Sequence, residues 1–272
     1  MLIRESFVVP ALAWLTNQKN LYLKLKSMNT FIGCAGWTIP KALSKDFIPG
    51  GTHLKQYTSR FNAVEIDSSF YQWHNPSTYK RWANAVPEHF KFAVKLSKQI
   101  THRGRLSGTK LIKQFISEVT GLGEKLGPLL VQLPPSLSFD EETVKPFLES
   151  LRKQFNGIVV CEPRHESWFA SQVDELLAEF QVARVATDTP PLPFASQPGG
   201  WNGLAYYRLH GSPRKYYSSY TEAQLRNIAR SIIESARSAE TWCIFDNTAS
   251  GAATPNALRV LELIKQNPWC LM

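Results

Sequence analysis

The chain has 272 residues, 43% of them hydrophobic, with 8 Trp, 15 Phe and 9 Tyr, and its formal net charge is +9. This is enough apolar material to bury the core of one large domain or two small ones, which excludes a disordered chain. The positive balance is compatible with an anionic partner, either a small metabolite or nucleic acid, and equally with plain solubility.

Four cysteines stand at 34, 161, 243 and 270 with no close pair, so neither a zinc motif nor a disulfide framework is written here. Free thiols suit a reducing compartment, and a cytoplasmic location is expected. No apolar run approaches the length of a membrane span, so no membrane partner is expected. A monomer is the default reading.

Residues 1–28 carry Arg4, Lys19, Lys24 and Lys26 against Glu5, and the apolar stretch 7–15 is interrupted by Pro10. It lacks the cleavage site of a secretory signal. These residues are expected to be an extension, either disordered or not native, with Met28 a candidate start; residues 29–272 are expected to form a single domain.

Eight β-rich runs follow in order: Phe31–Gly36, Ala63–Phe70, Lys91–Ser97, Leu129–Pro134, Ile158–Pro163, Ala183–Asp188, Ala205–Gly211 and Thr241–Asn247. Amphipathic helical patterns separate most of them, over Leu111–Leu126, Thr143–Gln154, Glu222–Arg237 and Pro255–Gln266. Alternating strands and helices imply a parallel sheet, and eight units in this length predict an α/β fold of the (β/α)8 TIM-barrel type. An open doubly wound sheet is the alternative. Against it, "GCAGWT" after the first strand is not a GxGxxG fingerprint. The segment after strand six, "TPPLPFASQPGGWNG", is too rich in Pro and Gly for a regular helix. A lid and a packed connection are equal readings of it.

In a barrel of this type the site lies at the C-terminal ends of the strands. Those positions hold Trp37; Glu65, Asp67 and Tyr71; Lys95 and His102; Gln132; Glu162, Arg164, His165 and Trp168; Asp188; Arg208 and His210; and Asp246 with Asn247. The period of two places Glu65 with Asp67, Glu162 with Arg164, and Arg208 with His210 on common faces. Charges within strands are costly to bury unpaired, so they are expected either to meet around one polar cavity or to plug the interior with salt bridges.

The stretches "IGCAGW", "VEIDSSFY", "FKFAVKLSKQITH", "LLVQLPPS", "CEPRHESW", "YYRLHG" and "FDNTASGAATPNA" resemble, in this order, the YecE-like family, a widespread domain family of unknown function. The resemblance covers roughly residues 30–265 and implies a (β/α)8 barrel; it implies no reaction. It also implies Ser or Thr at 34, and Asn at 67 or 246, where this chain has Cys34, Asp67 and Asp246.

Four chemistries compete for the strand ends. His102, His165 and His210 with Glu65, Glu162, Asp188 and Asp246 offer ligands for a divalent metal, as in endonuclease- or isomerase-like barrels, but Lys95, Arg164 and Arg208 would repel a cation. No cofactor is therefore expected. Glu65 and Glu162 could act as the acid and base of a glycosidase, with Trp37, Tyr71, Trp73 and Trp168 against sugar rings. Basic loops at 95–113 and 208–220, with Tyr216 and Tyr217, suit a nucleic-acid binder without chemistry.

The preferred reading is an enzyme, a hydrolase or isomerase, acting on a phosphate-bearing or other small anionic substrate. Glu65, Glu162 and His210 are its candidate catalytic groups. Lys95, His102, Gln132, Arg164, His165, Trp168, Asp188, Arg208, Asp246, Asn247, Trp37 and Tyr71 are its candidate substrate contacts. The cysteines are read as core thiols, since none is paired with an evident base.

Overall fold

The computed structural model describes residues 23, 25–107, 109–189 and 191–266. Ten strands run through it: β1 (Thr30–Cys34), β2 (Ala63–Ile66), β3 (Lys91–Lys95), β4 (Leu126–Gln132), β5 (Val159–Glu162), β6 (Val182–Arg184), β7 (Ala186–Thr187), β8 (Gly199–Gly200), β9 (Leu204–Leu209) and β10 (Glu240–Phe245). They form a six-stranded sheet in the order β2-β3-β4-β5-β6-β8 and a four-stranded sheet in the order β1-β10-β9-β7. Every pairing is parallel except that of β8 with β6. The parallel α/β character follows the sequence reading, but the ladders divide into two sheets instead of one continuous ring.

The sheets touch at two seams. At one, Ala35 makes a single parallel bridge to Glu65, and the Gly36 N–H donates to the Glu65 carbonyl at 2.8 Å. At the other, the sixth β-rich run is split. Its first half pairs with β5, and after Val185 its second half pairs with β9.

The period of two sorts the strand side chains into two cores. Outward-facing residues such as Ile32, Val64, Val94, Val131 and Cys161 join the helices in one large cluster. Between the sheets lies a separate cluster of Ala63, Ala93, Leu130, Val160, Ala183, Leu204, Tyr206, Trp242 and Ile244. Two residues further along each strand, on that same inner face, stand Glu65, Lys95, Gln132, Glu162, Arg208 and Asp246. The apolar layer is thus a floor, and the polar layer sits on it at the C-terminal ends.

Helices α1 (His53–Tyr57), α2 (Ser68–Tyr71), α3 (Pro76–Asn84), α4 (Thr109–Val119), α5 (Glu141–Arg152), α6 (Ser171–Glu179), α7 (Glu222–Ser235) and α8 (Ala253–Gln266) connect the strands. The predicted helix over 111–126 ends at Val119, and a 3-10 turn, Thr120–Lys125, completes it. Gly123 there takes φ 56°, which breaks the helical repeat. α7 begins in a capping box, Thr221 with Gln224, and buries Leu225, Ala229, Ile232 and Ile233.

The Pro/Gly-rich segment supplies a 3-10 turn at Pro193–Ser196 and the short β8. There the Trp201 N–H donates to the Val182 carbonyl at 2.9 Å, so this end of the segment is packed along β6. Leu25 is buried in the outer core and Met28 packs against it. Residues 1–22 and 24 of the N-terminal extension, and Cys270, lie outside the described residues. No helix among the described residues is long and apolar enough to cross a membrane.

Candidate functional site

Arg208, the fifth residue of β9, stands at the centre of the polar layer and is 1% exposed. Its Nη2 donates to Glu65 Oε1 at 2.8 Å, and its Nε lies 3.1 Å from both Glu65 oxygens. Nη1 reaches Asp246 Oδ2 at 3.0 Å and Glu162 Oε2 at 3.2 Å. Tyr206, two residues earlier on the same face, donates its hydroxyl to Glu65 Oε2 at 3.0 Å. Burial pulls the pKa of this guanidinium down, but Asp246, Glu65 and Glu162 outweigh it and hold it well above its ordinary value. Burial raises the pKa of Glu65 and of Asp246, with Arg208 opposing in both cases.

His210 follows on the same face and is fully buried. Its Nδ1 lies 3.0 Å from Thr187 Oγ1 and 3.3 Å from Asp188 Oδ1. Asp188 is itself fixed: it accepts from the backbone N–H groups of His210 and Gly211, at 2.8 and 2.9 Å, and from the Tyr220 hydroxyl. Burial works against the Asp188 carboxylate, but these bonds from His210 and Tyr220 hold its pKa below the ordinary range. Gly211 takes φ 91°, a conformation that suits glycine and turns both backbone donors toward Asp188.

The other ring nitrogen, Nε2, lies 2.9 Å from Arg208 Nη1, 2.9 Å from Arg164 Nη2 and 3.3 Å from Glu162 Oε1. Two guanidinium donors favour a bare Nε2, while the carboxylate favours a protonated one. Burial disfavours the imidazolium, yet Glu162 and Asp188 outweigh it and lift the His210 pKa above its usual value. Glu162 is its opposite. Burial would raise it, but Arg164, Arg208 and His210 hold it well below the carboxylate range. At neutral pH these cations keep Glu162 an anion and make it a weak base.

Lys95 ends β3, donates to Asp67 Oδ1 at 2.8 Å and lies 4.1 Å from the centroid of the Phe70 ring. His102, half-buried, bonds Thr101 Oγ1 at 2.9 Å. Burial, then Lys95 and Arg164, lower its pKa, which favours the neutral ring. Arg164 shares Nη2 between Glu162 and His210, while its Nε is buried with no hydrogen-bond partner. Lys95, His102 and Arg164 thus form a basic flank, and Tyr71 and Tyr216 stand exposed beside it.

Several predicted residues lie elsewhere. Trp168 is buried in the helix-side core, where its indole donates to the Leu137 carbonyl at 2.9 Å and its ring packs edge-on against Phe139. It sits too far past the end of β5 to share the inward face of Glu162. His165 caps the turn Glu166–Phe169 through the Ser167 N–H. Trp37 packs edge-on against Trp82, at 5.2 Å, and joins the outer core. Asn247 is a buried brace that donates to Ser218 O and Asn256 Oδ1 at 2.9 Å each. Gln132 is buried in line with Glu162 but donates to the Leu133 carbonyl.

Sequence reasoning assigned no role to Asp67, Tyr206, Thr187 or Tyr220. Asp67 and Tyr206 were signalled by the period of two, since they share faces with Glu65 and Arg208; Tyr220 lies in a loop and gave no signal.

Cys34, Cys161 and Cys243 are buried and unpaired, and burial pushes the Cys34 thiol up to about 12. Among the described residues no group of three or more His, Cys, Asp or Glu side chains is arranged to hold a metal ion.

A parallel α/β fold with a charged, buried layer at the C-terminal strand ends defines the class: an α/β protein whose candidate site is built from strand termini. Residues 31–270 match the family described as "Protein of unknown function DUF72", and the chain belongs to that family. It is 30% identical over 169 residues to UPF0759 protein YecE of Escherichia coli K12, spanning 60% of each chain. To UPF0759 protein YunF of Bacillus subtilis 168 it is 24% identical over 266 residues, covering 86% of this chain and 94% of that one. A DUF72 family protein of Enterococcus faecalis V583 superposes with a TM-score of 0.75 at 22% identity, over 88% of this chain and 96% of that one. One from Thermotoga maritima gives 0.70 at 23% identity, over 87% and 99%. At these identities the structures show a shared fold.

Proposed function

We propose that the two sheets are the halves of one (β/α)8 barrel and that the protein is an enzyme with general acid–base chemistry on a small anionic substrate. The strand order reads once round both sheets, and the Ala35–Glu65 bridge and the split run 182–187 join their edges. The observation that carries the chemistry is His210: a buried imidazole with Asp188 at one nitrogen, and two guanidinium groups and Glu162 at the other. Asp188 directs the proton to Nδ1 and leaves Nε2 to exchange one.

Arg164 couples substrate to this group. An anionic substrate that engages Arg164, whose Nε has no partner, draws that guanidinium from Nε2, and Arg208 Nη1, already matched by Glu162 and Asp246, gives up Nε2 as the ring gains its proton. His210 then takes a proton from the substrate at Nε2, and Glu162 stabilises the imidazolium. Lys95 supplies further donors to the anion. Arg208 is already matched by three carboxylates and serves to hold Glu65, Glu162 and Asp246 in place.

The test is thermal unfolding of the full chain with phosphosugars, nucleotides, carboxylates, neutral sugars and divalent metals, since a ligand of the folded state raises Tm. A shift with phosphorylated or carboxylated compounds that is lost in Arg164→Gln is expected. A shift confined to neutral sugars or metals overturns the reading. A second reading, a nucleic-acid-binding surface without turnover, draws on the exposed Arg103, Arg105 and Arg214. It requires oligonucleotide affinity that falls steeply with salt.

A further inference from the structure

Two tyrosines stand at the opening of the candidate site on opposite elements. Tyr71 ends α2, directly after β2, and is 63% exposed; Tyr216 follows β9 and is 40% exposed. Each carries a cation: Lys98 Nζ lies 5.4 Å from the Tyr71 ring centroid, and Lys215 Nζ lies 5.5 Å from that of Tyr216. Beside them Arg214 lies 4.0 Å from the centroid of Tyr217, which is 45% exposed. Burial raises the pKa of Tyr71, with Asp67 and Tyr216 adding to it, and burial raises that of Tyr216, with Arg164 opposing.

Tyr216 is held in this place at a conformational cost. Its φ is 69°, a left-handed backbone that a bulky residue seldom adopts. It is fixed there by its own N–H, which donates to the His210 carbonyl at 2.6 Å, and by the Ala249 N–H on its carbonyl at 3.1 Å. Its ring meets the His210 imidazole edge-on, 5.8 Å between centroids. Glycine would satisfy this backbone better, so the ring itself is the reason to keep a tyrosine here.

Exposed aromatic rings flanked by cations, above buried cations, match a ligand that joins a flat π-system to anionic groups. Building on the anionic-substrate reading, we infer that Tyr71 and Tyr216 form a stacking platform for a nucleobase, so that the substrate class is a nucleotide. The base lies against the tyrosines, the phosphate against Lys95 and Arg164, and Lys98, Arg214 and Lys215 receive any further phosphates. A free nucleotide and the end of a single strand share this chemistry.

The experiment is calorimetric titration of the full chain with adenosine 5′-monophosphate, ribose 5-phosphate, adenosine and a short single-stranded oligonucleotide. The variants are Tyr71→Ala and Tyr216→Gly. Stacking on aromatic side chains contributes about five- to 150-fold per base. The nucleotide is therefore expected to bind at least about fivefold more tightly than ribose 5-phosphate, with that gap narrowing in Tyr71→Ala and in Tyr216→Gly, while Tm holds or rises in Tyr216→Gly. Equal affinity for nucleotide and sugar phosphate overturns the platform and leaves the anion pocket standing. Equal affinity for adenosine and nucleotide does the reverse. Binding of the oligonucleotide alone, lost in Tyr216→Gly, supports the platform and assigns it to a strand. Binding of none of the four overturns both.

Discussion

Arg208→Met is the sharpest probe of how the polar layer is held. The guanidinium is 1% exposed and lies 2.8 Å from Glu65, 3.0 Å from Asp246 and 3.2 Å from Glu162. Methionine fills much of the volume but leaves these carboxylates without their shared cation. Removing one partner of a buried ion pair costs about 3–5 kcal/mol. For a domain of this size that corresponds to a fall in Tm of roughly 6–20 °C.

The loss should be pH-dependent. Burial already raises Glu65 and Asp246, and without Arg208 their pKa values rise further. A carboxyl whose folded pKa lies above its unfolded value binds protons preferentially in the folded state, so stability recovers as pH falls. Urea unfolding at pH 7 and pH 5 therefore should show a smaller deficit at pH 5. Adding Glu65→Gln to Arg208→Met should cost less than the sum of the single changes, by about 0.5–3 kcal/mol. A deficit below about 1 kcal/mol at pH 7, or strict additivity with Glu65→Gln, would mean that Arg208 is not the shared counter-ion of these carboxylates.

Other perturbations test neighbouring parts. His210 has a folded pKa above its ordinary value of about 6.5, so its stabilising effect is complete below that value and is lost as pH rises through the folded one. The Tm advantage of the wild type over His210→Asn should thus shrink from pH 6 to pH 9, and a constant difference contradicts the assignment. Tyr220→Phe removes a hydroxyl that bonds Asp188 and accepts the Gly211 N–H, and should lower stability by about 1–3 kcal/mol in urea unfolding. Gly33→Ala would place a Cβ 2.0 Å from the Ala63 carbonyl oxygen and 2.9 Å from the Tyr57 hydroxyl. The backbone oxygen cannot yield as a side chain would, so a loss of at least about 1–3 kcal/mol is expected, measured in the same way.

Much of this architecture was legible because strands obey a period of two. Ala63 and Glu65, Ala93 and Lys95, Val160 and Glu162, Tyr206 and Arg208 each pair an apolar residue with a polar one on the same inward face. That spacing announces an apolar floor beneath a charged layer. It also explains the motif "CEPRH": Cys161 points to the helices, Glu162 points inward, and Arg164 reaches back to it past Pro163. Legibility ended where position depends on loops. Trp168 follows the same motif by a few residues, yet its turn carries it into the helix-side core. Tyr220 reaches Asp188 from a distant loop, a contact no periodicity encodes. The split of the sixth run at Val185 was equally hidden, because pairing partners are set by the neighbouring strands and not by the run itself.

Whether His210 moves a proton for an anion seated on Arg164 is decided by separating binding from turnover. With a phosphorylated or carboxylated ligand identified by thermal shift, affinity and single-turnover rate are measured for wild type, His210→Asn and Arg164→Gln. His210→Asn is expected to bind within a few-fold of wild type and to lose turnover by about 100-fold or more, while Arg164→Gln is expected to lose affinity. Unchanged turnover in His210→Asn, or unchanged affinity in Arg164→Gln, would contradict these roles.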